Sequence, residues 1–581
     1  MQSAMKDDSN KKIFSLFIFL GAVSLLWMIC ASCVIAATLT PDQLQQLNQS
    51  TDIARRHAPS YSPGSSPKFD FRIQAPEKAA LPKAIEDIEF DFSGVEFDGA
   101  SVFSKAEMEA LFSPMYGKKV GLGALRDAAA KLETHYREQG YFLVRVFIPP
   151  QQVKDGIFKI KVVEGYVNEV FIQGPDDKMN ERVEKFALQL AAVKPLSLAT
   201  LERVLLLLND LPGVSGTAVL RQGAELGASD LLITVNPLPI SQSITVSNEN
   251  AKTVGPASIN YNLNVTEPFD LPGFWNLNLT QAGDLVHSEL YAVSTRYSQA
   301  YGNNGAVWSI GLTASQAYPG LYLAYLDIVS TSTAINPKLH YPLMRTRENS
   351  VYIDSGISIN RSQTDIKAFL STSAVRTNVA EFTPSWSLDG WMDGTQNLSL
   401  SAFKGFQGFG SNLASDALAF SSPFNPDFFK VDYSFQRTQQ LPYSFSIQLN
   451  VSGQFTRDKL PSAELQSFGG QSTGRGYDSG AISGDRGTGV LFEVRRDTQI
   501  AWAPYVGNLQ LYASMDAASV NSIAYDSTAG SRTYLSSWAV GSRFPFFGMS
   551  ADVQVGGSII DLQATSPKHN PHINFSLVTS F

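Results

Sequence analysis

From about residue 240 onward the chain alternates. Tyr443, Phe445, Ile447, Leu449 and Val451 interleave with Ser444, Ser446, Gln448, Asn450 and Ser452. The same two-residue period runs through Trp275 to Leu279, Val351 to Ile359 and Leu398 to Ser401, with turn-rich stretches such as 299–305 between them. Such segments read as β-strands with one apolar and one polar face. The chain ends in the same way. Ile573, Phe575, Leu577, Thr579 and Phe581 share one face, Asn574, Ser576 and Ser580 the other, and the last residue is aromatic. Inside a bilayer only helices and closed barrels satisfy every backbone group. A terminal strand that is apolar outside, polar inside and aromatic at its end suits a closed barrel in a bacterial outer membrane. About 340 residues, at about 20 per strand and turn, give about 16 strands. The predicted fold class is therefore mostly β, an about 16-stranded transmembrane β-barrel over 239–581.

Upstream the period changes to that of helices and short strands. Ile85, Ile88, Phe90 and Phe92 open a strand-like run. Ser104 caps a short helix, with Glu107 at capping-box spacing. A second helix is predicted over 122–138 with Leu125, Ala129, Leu132 and Tyr136 on one face, ended by Gly140. Strands follow at 141–148 and 156–163. The plan repeats: a strand at 167–172, a helix carrying Val183, Phe186 and Leu190, another carrying Leu201, Val204, Leu205 and Leu208, and strands at 215–222 and 230–236. Two successive small α+β modules, 84–165 and 166–238, account for this most simply.

The amino-terminal end carries targeting and a linker. Lys11 and Lys12 precede an apolar run from Ile13 to Ile29, and Val34-Ile35-Ala36 offers a cleavage site, so 1–36 reads as a secretory signal peptide, with a retained anchor as the alternative. Both cysteines, Cys30 and Cys33, lie within it; the processed chain would have no disulfide and no thiolate metal site. Thr40 and Pro41 start a polar helix within 37–58. Residues 59–83, rich in Pro and Ser, read as a flexible linker. Of the 581 residues, 17% are charged and the net charge is −8. That balance gives no argument for nucleic-acid binding.

Three segments carry a family resemblance. The first is Tyr136 to Tyr141 with Ile148-Pro149-Pro150-Gln151-Gln152, Asp155-Gly156 and Val162-Val163-Glu164-Gly165. The second is Phe468-Gly469-Gly470 through Gly474-Arg475-Gly476-Tyr477 to Ser483–Gly487. The third is Met515-Asp516-Ala517-Ala518-Ser519-Val520. Together they resemble the outer-membrane transporters of two-partner secretion, of the haemolysin activation/secretion and filamentous-haemagglutinin transporter type. In that superfamily polypeptide-transport-associated (POTRA) modules precede a barrel. Gly474 departs from the family's usual Val and Ala518 from its usual Gly.

The resemblance implies a long barrel loop that folds inward. Arg475, flanked by Gly474 and Gly476, would pair with Asp516 and latch the loop, while Tyr477 packs on the wall and Phe581 ends the barrel. It implies that the 37–58 helix plugs the pore and that the modules stand in the periplasm, where their edges could take an incoming chain by strand addition. The implied partners are a secreted exoprotein, outer-membrane lipid, and the barrel-assembly machinery during biogenesis. No cofactor, metal or nucleotide is expected: the chain has no His-Glu-x-x-His and no Gly-x-x-x-x-Gly-Lys-Ser/Thr. Gly470-Gln471-Ser472-Thr473-Gly474 spells a nucleophile elbow, but Arg475-Gly476-Tyr477-Asp478-Ser479-Gly480 cannot start the helix that motif needs, so no enzyme is predicted. The alternative within the superfamily is a barrel-assembly or insertion factor, which usually carries more than two modules.

Overall fold

The computed structural model describes residues 69–73, 89–283, 288–413, 424–502, 505–524, 530–560 and 571–581. The expected signal peptide and plug helix lie outside them. Part of the expected linker does not: Phe69–Ile73 forms a strand, β1. It pairs in parallel with a strand of the second module, so this stretch is sheet and not flexible linker. Its apolar residues alternate, Phe69-Asp70-Phe71-Arg72-Ile73, and a sheet edge offers it unpaired N–H and C=O groups.

The first module runs β2 (Glu89–Phe92), β3 (Gly94–Asp98), α1 (Lys105–Ala110), β4 (Lys118–Gly121), α2 (Leu122–Glu138), β5 (Arg145–Phe147) and β6 (Ile157–Val163). Ser104 caps α1, accepting the Glu107 N–H at 3.3 Å. The expected face of α2 is buried, with Leu125, Leu132 and Tyr136 packed into one cluster with Phe92, Phe158 and Ile160. The strand expected over 141–148 shrinks to three residues. Tyr141 instead donates its N–H to the Tyr136 carbonyl at the helix end (2.9 Å), and Pro149-Pro150 cuts the other side.

Glu164 closes this module. Its carboxylate accepts the N–H groups of Ser101 (2.7 Å) and Val102 (3.1 Å), the Ser101 hydroxyl, and the Tyr136 hydroxyl (2.9 Å). Burial pushes its pKa up, but the four hydrogen bonds outweigh burial and hold it below the ordinary value.

The second module runs β7 (Tyr166–Gln173), α3 (Asp177–Ala191), α4 (Leu198–Asp210), β8 (Val214–Gln222) and β9 (Ala228–Pro237). Asp176 caps α3 through the Met179 N–H, and Ser197 caps α4 through that of Thr200. Val183, Phe186 and Leu190 meet Leu201, Val204 and Leu208 over the sheet, whose order is β1-β8-β9-β7.

The barrel strands are β10 (Ser241–Ser247), β11 (Ser258–Thr266), β12 (Phe274–Gly283), β13 (Ser288–Tyr301), β14 (Ala306–Ala317), β15 (Ile328–Arg345), β16 (Asn349–Ile366), β17 (Ser371–Leu388), β18 (Gly394–Gly405), β19 (Phe429–Leu441) and β20 (Phe445–Thr456). A small hairpin, β21 (Gln466–Phe468) with β22 (Ile482–Gly484), interrupts them. β23 (Arg486–Trp502), β24 (Tyr505–Ser522), β25 (Ser531–Phe546), β26 (Met549–Ser558) and β27 (His572–Ser580) complete the wall. Among the described residues sixteen antiparallel strands close into one barrel, as the alternation implies. Tyr443 and Ser444 fall outside β20: both have a φ of 61° and make the hairpin turn before it.

Burial is inverted relative to a water-soluble body. Leu279, Ile310, Leu312, Phe382, Leu400, Phe492 and Trp538 are exposed, while Ser294, Arg296, Asn378, Gln448, Glu493 and Asp516 are buried. Grease lies outside and polarity within. β10 and β27 close the wall through five rungs, Ser243↔Ser580 to Ser247↔Ser576. Phe581 extends the closure, exchanging two backbone hydrogen bonds with Gln242 (2.9 and 3.0 Å).

The second module sits on the turns at one end of this barrel. Asp210 takes Arg345 bidentately at 2.7 and 3.0 Å. Arg182 meets Glu267 at 2.9 Å, and Glu202 meets Arg347 at 3.3 Å.

A group with a depressed folded-state pKa stabilises above its unfolded value, and that contribution is lost as pH falls through the folded value. Glu164→Gln should therefore lower the thermal midpoint of the first module at pH 7. The gap to the parent should close below the ordinary Glu value near 4.5. Thermal unfolding of the whole chain in detergent across pH 3–7, followed by hydrogen exchange at residues 101–103, checks this.

Candidate functional site

The segment between β20 and β23, residues 457–485, folds back into the lumen. Its base is tied by Asp485, fully buried, which accepts Lys459 Nζ (2.8 Å), the Leu460 N–H (2.8 Å) and the Ile523 N–H (2.7 Å). The β21–β22 hairpin carries a tip that turns through Gly474 at a φ of 97°, left-handed backbone that favours glycine. Gly476 serves a different need. A Cβ there would lie 2.3 Å from the Gly557 carbonyl carbon, so only glycine lets the tip rest against β26.

Arg475, 5% exposed, lies at the centre. Its guanidinium pairs with Glu493 on β23 and donates to the Ser514 hydroxyl (3.1 Å) and to the Gln471 carbonyl (3.0 Å). It also stands 5.5 Å from the Tyr512 ring centroid. Asp516 does not receive the guanidinium that the family resemblance implies for it. It accepts the backbone N–H of Arg475 (3.2 Å) and the Ser537 hydroxyl (2.5 Å). The register gives the reason. Leu491 pairs with Asp516, and Glu493 with Ser514, two residues nearer the modules. The loop backbone passes at the level of Asp516, and the long Arg475 side chain reaches roughly 7 Å further along the wall.

Glu493 collects more than one cation. Arg495 Nε lies 2.5 Å from it and Arg543 3.2 Å, and Arg543 also pairs with Asp552 (2.9 Å). Sequence reasoning missed Glu493, yet a signal was present. It alternates with Phe492 and Val494 on the polar face it shares with Arg495, which points a carboxylate into the lumen.

Tyr477 packs with Phe468, Ile482, Val520 and Leu535. Its hydroxyl lies within hydrogen-bond distance of the Ser536 (2.9 Å) and Ile560 (2.5 Å) carbonyls. The next residue reaches the seam: Asp478 pairs with Lys252 at 3.2 Å and lies 3.7 Å from His572. The Gly470–Gly474 stretch is loop between β21 and β22, and no helix follows it. Among the described residues no helix is long and apolar enough to cross a membrane.

The profile described as haemolysin secretion/activation protein ShlB/FhaC/HecB matches residues 227–544, just over half of the chain. This chain belongs to that family. A profile for a POTRA domain, ShlB-type, matches residues 90–165 within the first module. The chain is an outer-membrane transporter of two-partner secretion, with its POTRA modules in the periplasm. The barrel end that holds the modules is therefore periplasmic, and the loop enters from the outer side.

Among similar proteins, the heme/hemopexin transporter protein HuxB of Haemophilus influenzae (strain ATCC 51907 / DSM 11121 / KW20 / Rd) is 25% identical over 401 residues, 66% of this chain and 67% of that protein. The outer membrane transporter CdiB of Dickeya dadantii (strain 3937) is 23% identical over 504 residues, 84% of this chain and 86% of that one. Among solved structures, CdiB from Escherichia coli superposes with a TM-score of 0.69 at 20% identity, covering 94% of this chain and all of that one. BamA from Haemophilus ducreyi lacking POTRA domains 1–3 gives 0.51 at 13% identity, covering 85% of this chain and all of that one. These structural likenesses speak for the fold. The family match, and not the fold, separates secretion from barrel assembly.

Breaking a buried charge set by removing one partner costs about 3–5 kcal/mol, against about 1–3 kcal/mol for an orphaned neutral hydrogen bond. Glu493→Gln, which leaves three arginines without their shared carboxylate, should loosen the loop more than Asp516→Asn. A thiol placed at Thr473, buried in the docked loop, reports it: maleimide labelling should rise in the order parent, Asp516→Asn, Glu493→Gln.

Proposed function

We infer that this chain exports a large partner exoprotein of haemolysin or adhesin type, with loop 457–485 as a releasable obstruction latched by Arg475. The observation that supports this reading is the composition of the clamp. Arg475 joins the loop to β23 and β24 by hydrogen bonds, an ion pair and the face of the Tyr512 ring, inside a polar lumen where water can replace the polar contacts. Such contacts hold a pose yet exchange without breaking the wall. Gly474, Gly476 and Tyr477 shape the tip, and Asp516 and Glu493 share Arg475 between its backbone and its side chain.

The polar helix within 37–58 is read as a plug for the same lumen. Its Gln-rich, polar composition suits water better than lipid. No nucleotide-binding motif accompanies the barrel, so folding of the emerged cargo outside would bias movement outward. Lipid surrounds the barrel, and the barrel-assembly machinery inserts it.

Co-expression with a candidate partner exoprotein tests the reading. The parent should release the exoprotein into the medium, and a chain lacking residues 84–236 should not; intact release without the modules overturns it. Arg475→Ala removes charge-assisted bonds of about 1.5–3 kcal/mol each. It should cut release at least about ten-fold while leaving the heat-modifiable barrel band in the outer membrane. Unchanged release would remove Arg475 from the mechanism.

A further inference from the structure

The outer face of the wall changes character along three neighbouring strands, β15, β16 and β17. Directly paired residues point to the same side of a sheet, so each rung can be read across. Leu339↔Ser355↔Phe382 faces lipid, because Leu339 and Phe382 are exposed. Moving along the strands on that same face, Ile357↔Ala380 comes next, then Ile335↔Ile359↔Asn378, then Thr333↔Arg361↔Arg376. On β16 the face continues as Gln363 and Asp365. The apolar surface therefore ends at Arg361 and Arg376.

That end of the strands is the outer one. The second module holds the turn between β15 and β16 through Arg345 and Arg347, so β16 runs outward from Asn349 to Ile366. From Val351 to Ile359 its lipid face covers roughly 27 Å of strand. At the usual tilt of about 40° this is roughly 20 Å of height, most of the about 25 Å apolar band of such barrels. Arg361 and Arg376 stand just above the band, level with the headgroups of the outer leaflet.

Among the described barrel rungs, Arg361↔Arg376 is the only one that sets two cations side by side. Like charges directly opposite each other destabilise a strand pair. Neither arginine has a carboxylate partner among the described residues. Arg361 is aimed instead by neutral acceptors: the carbonyls of Asn360 (2.7 Å), Thr377 (3.2 Å) and Phe409, and the Asn378 amide oxygen (3.3 Å). Arg376 is exposed, and it is its backbone that is tied down. Its N–H donates to the Asn412 amide oxygen (2.6 Å), and its carbonyl accepts the Asn412 N–H (3.0 Å). The outward acid on β16, Asp365, lies four residues further along, roughly 13 Å. It already accepts the Thr372 hydroxyl (2.6 Å) and the Gln363 amide (3.1 Å).

We propose that Arg361 and Arg376 form a binding site for a phosphate group of lipopolysaccharide, the phosphorylated glycolipid of the outer leaflet. A phosphate monoester carries about −1.5 to −2 charge and accepts the paired N–H groups of a guanidinium fork. An anion between the two arginines turns a repulsive rung into an attractive one. The apolar rungs directly below, with Ile335, Ile359 and Phe382, receive the acyl chains of the same molecule. Phe409, whose carbonyl holds Arg361, leaves its ring 74% exposed for that lipid to cover. β16 and β17 are the seventh and eighth of the sixteen strands counted from β10. The lipid therefore grips the wall on the side away from the joint of β10 and β27. The proposal needs the outer-membrane location and not the export reading.

The probe is purified lipid A with both of its phosphates, titrated onto the delipidated full-length chain in a nonionic detergent and counted by native mass spectrometry. The parent should bind it. Lipid A stripped of its phosphates should bind at least about ten-fold more weakly, as expected for the loss of one charge-assisted contact. Phosphatidylglycerol, with a single phosphodiester charge, should also bind at least about ten-fold more weakly. Equal binding of the stripped lipid overturns phosphate recognition, and equal binding of phosphatidylglycerol overturns the glycolipid as the ligand. These arms use the parent alone, so they decide the proposal whether or not a variant folds.

Two variants then place the site. Arg361→Gln with Arg376→Gln should weaken lipid A binding at least about ten-fold while keeping the heat-modifiable band of a folded barrel. Arg496→Gln removes an exposed cation from the periplasmic end of the same outer face, where it stands 5.2–5.3 Å or closer to no acid but over the Phe445 ring, and should leave binding at the parental level. Parental binding by the double variant overturns the assignment to these two arginines. An equal loss in Arg496→Gln reveals a diffuse charge effect and overturns it as well.

Discussion

Everything in this molecule depends on closing a sheet so that no backbone group is left unpaired in hydrocarbon. The closure is unevenly built. β15, β16 and β17 each run 18 residues, but the joint is made by β10, with seven, and β27, with nine. Side chains lengthen it. Asn248, just past β10, accepts the Phe575 N–H (2.7 Å) and donates to the Ile573 carbonyl (2.8 Å), completing a further rung with an amide. At the other end Phe581 adds its two bonds to Gln242. The inward loop then braces the same joint, Gln471 to Glu249 and Asp478 to Lys252. The loop is thus held to β23 and β24 by Arg475 and to the seam by its neighbours.

Closure also dictates the electrostatics. A wall that is apolar outside must put its polar residues inside, and charges confined to a lumen need partners. The lumen answers with clusters: Arg475, Arg495 and Arg543 on Glu493, Arg543 again on Asp552, and Lys430 on Glu464 at 3.0 Å. Such contacts set geometry more than they add stability. That favours a loop whose position is defined but whose release is not prohibitive.

What the sequence made legible followed from short-range periodicity. The terminal strand, the helix faces at Leu125 and Leu132 and at Val183 and Phe186, the Ser104 cap and the count of barrel strands all depend on neighbours a few residues apart. What it hid depends on register. The family resemblance implies Asp516 as the partner of Arg475, whereas the level at which β23 and β24 pair hands the guanidinium to Glu493. Nothing local marks Asp210 and Arg345, 135 residues apart, as partners. β1 was masked by the Pro- and Ser-rich composition around five alternating residues. β3 and β4 are too short to establish a period.

The attachments divide the barrel into two halves with different duties. The second module touches the periplasmic turns that end β11, β13 and β15, through Glu267, Asn303, Arg345 and Arg347. The inward loop touches β23, β24, β25 and β26, through Glu493, Asp516, Ser536 and Gly557. No strand carries both sets of contacts among these. Releasing the loop would therefore break none of the contacts that seat the module on the rim. Export through the barrel would call for that separation, because the module must stay seated on the rim while the obstruction moves.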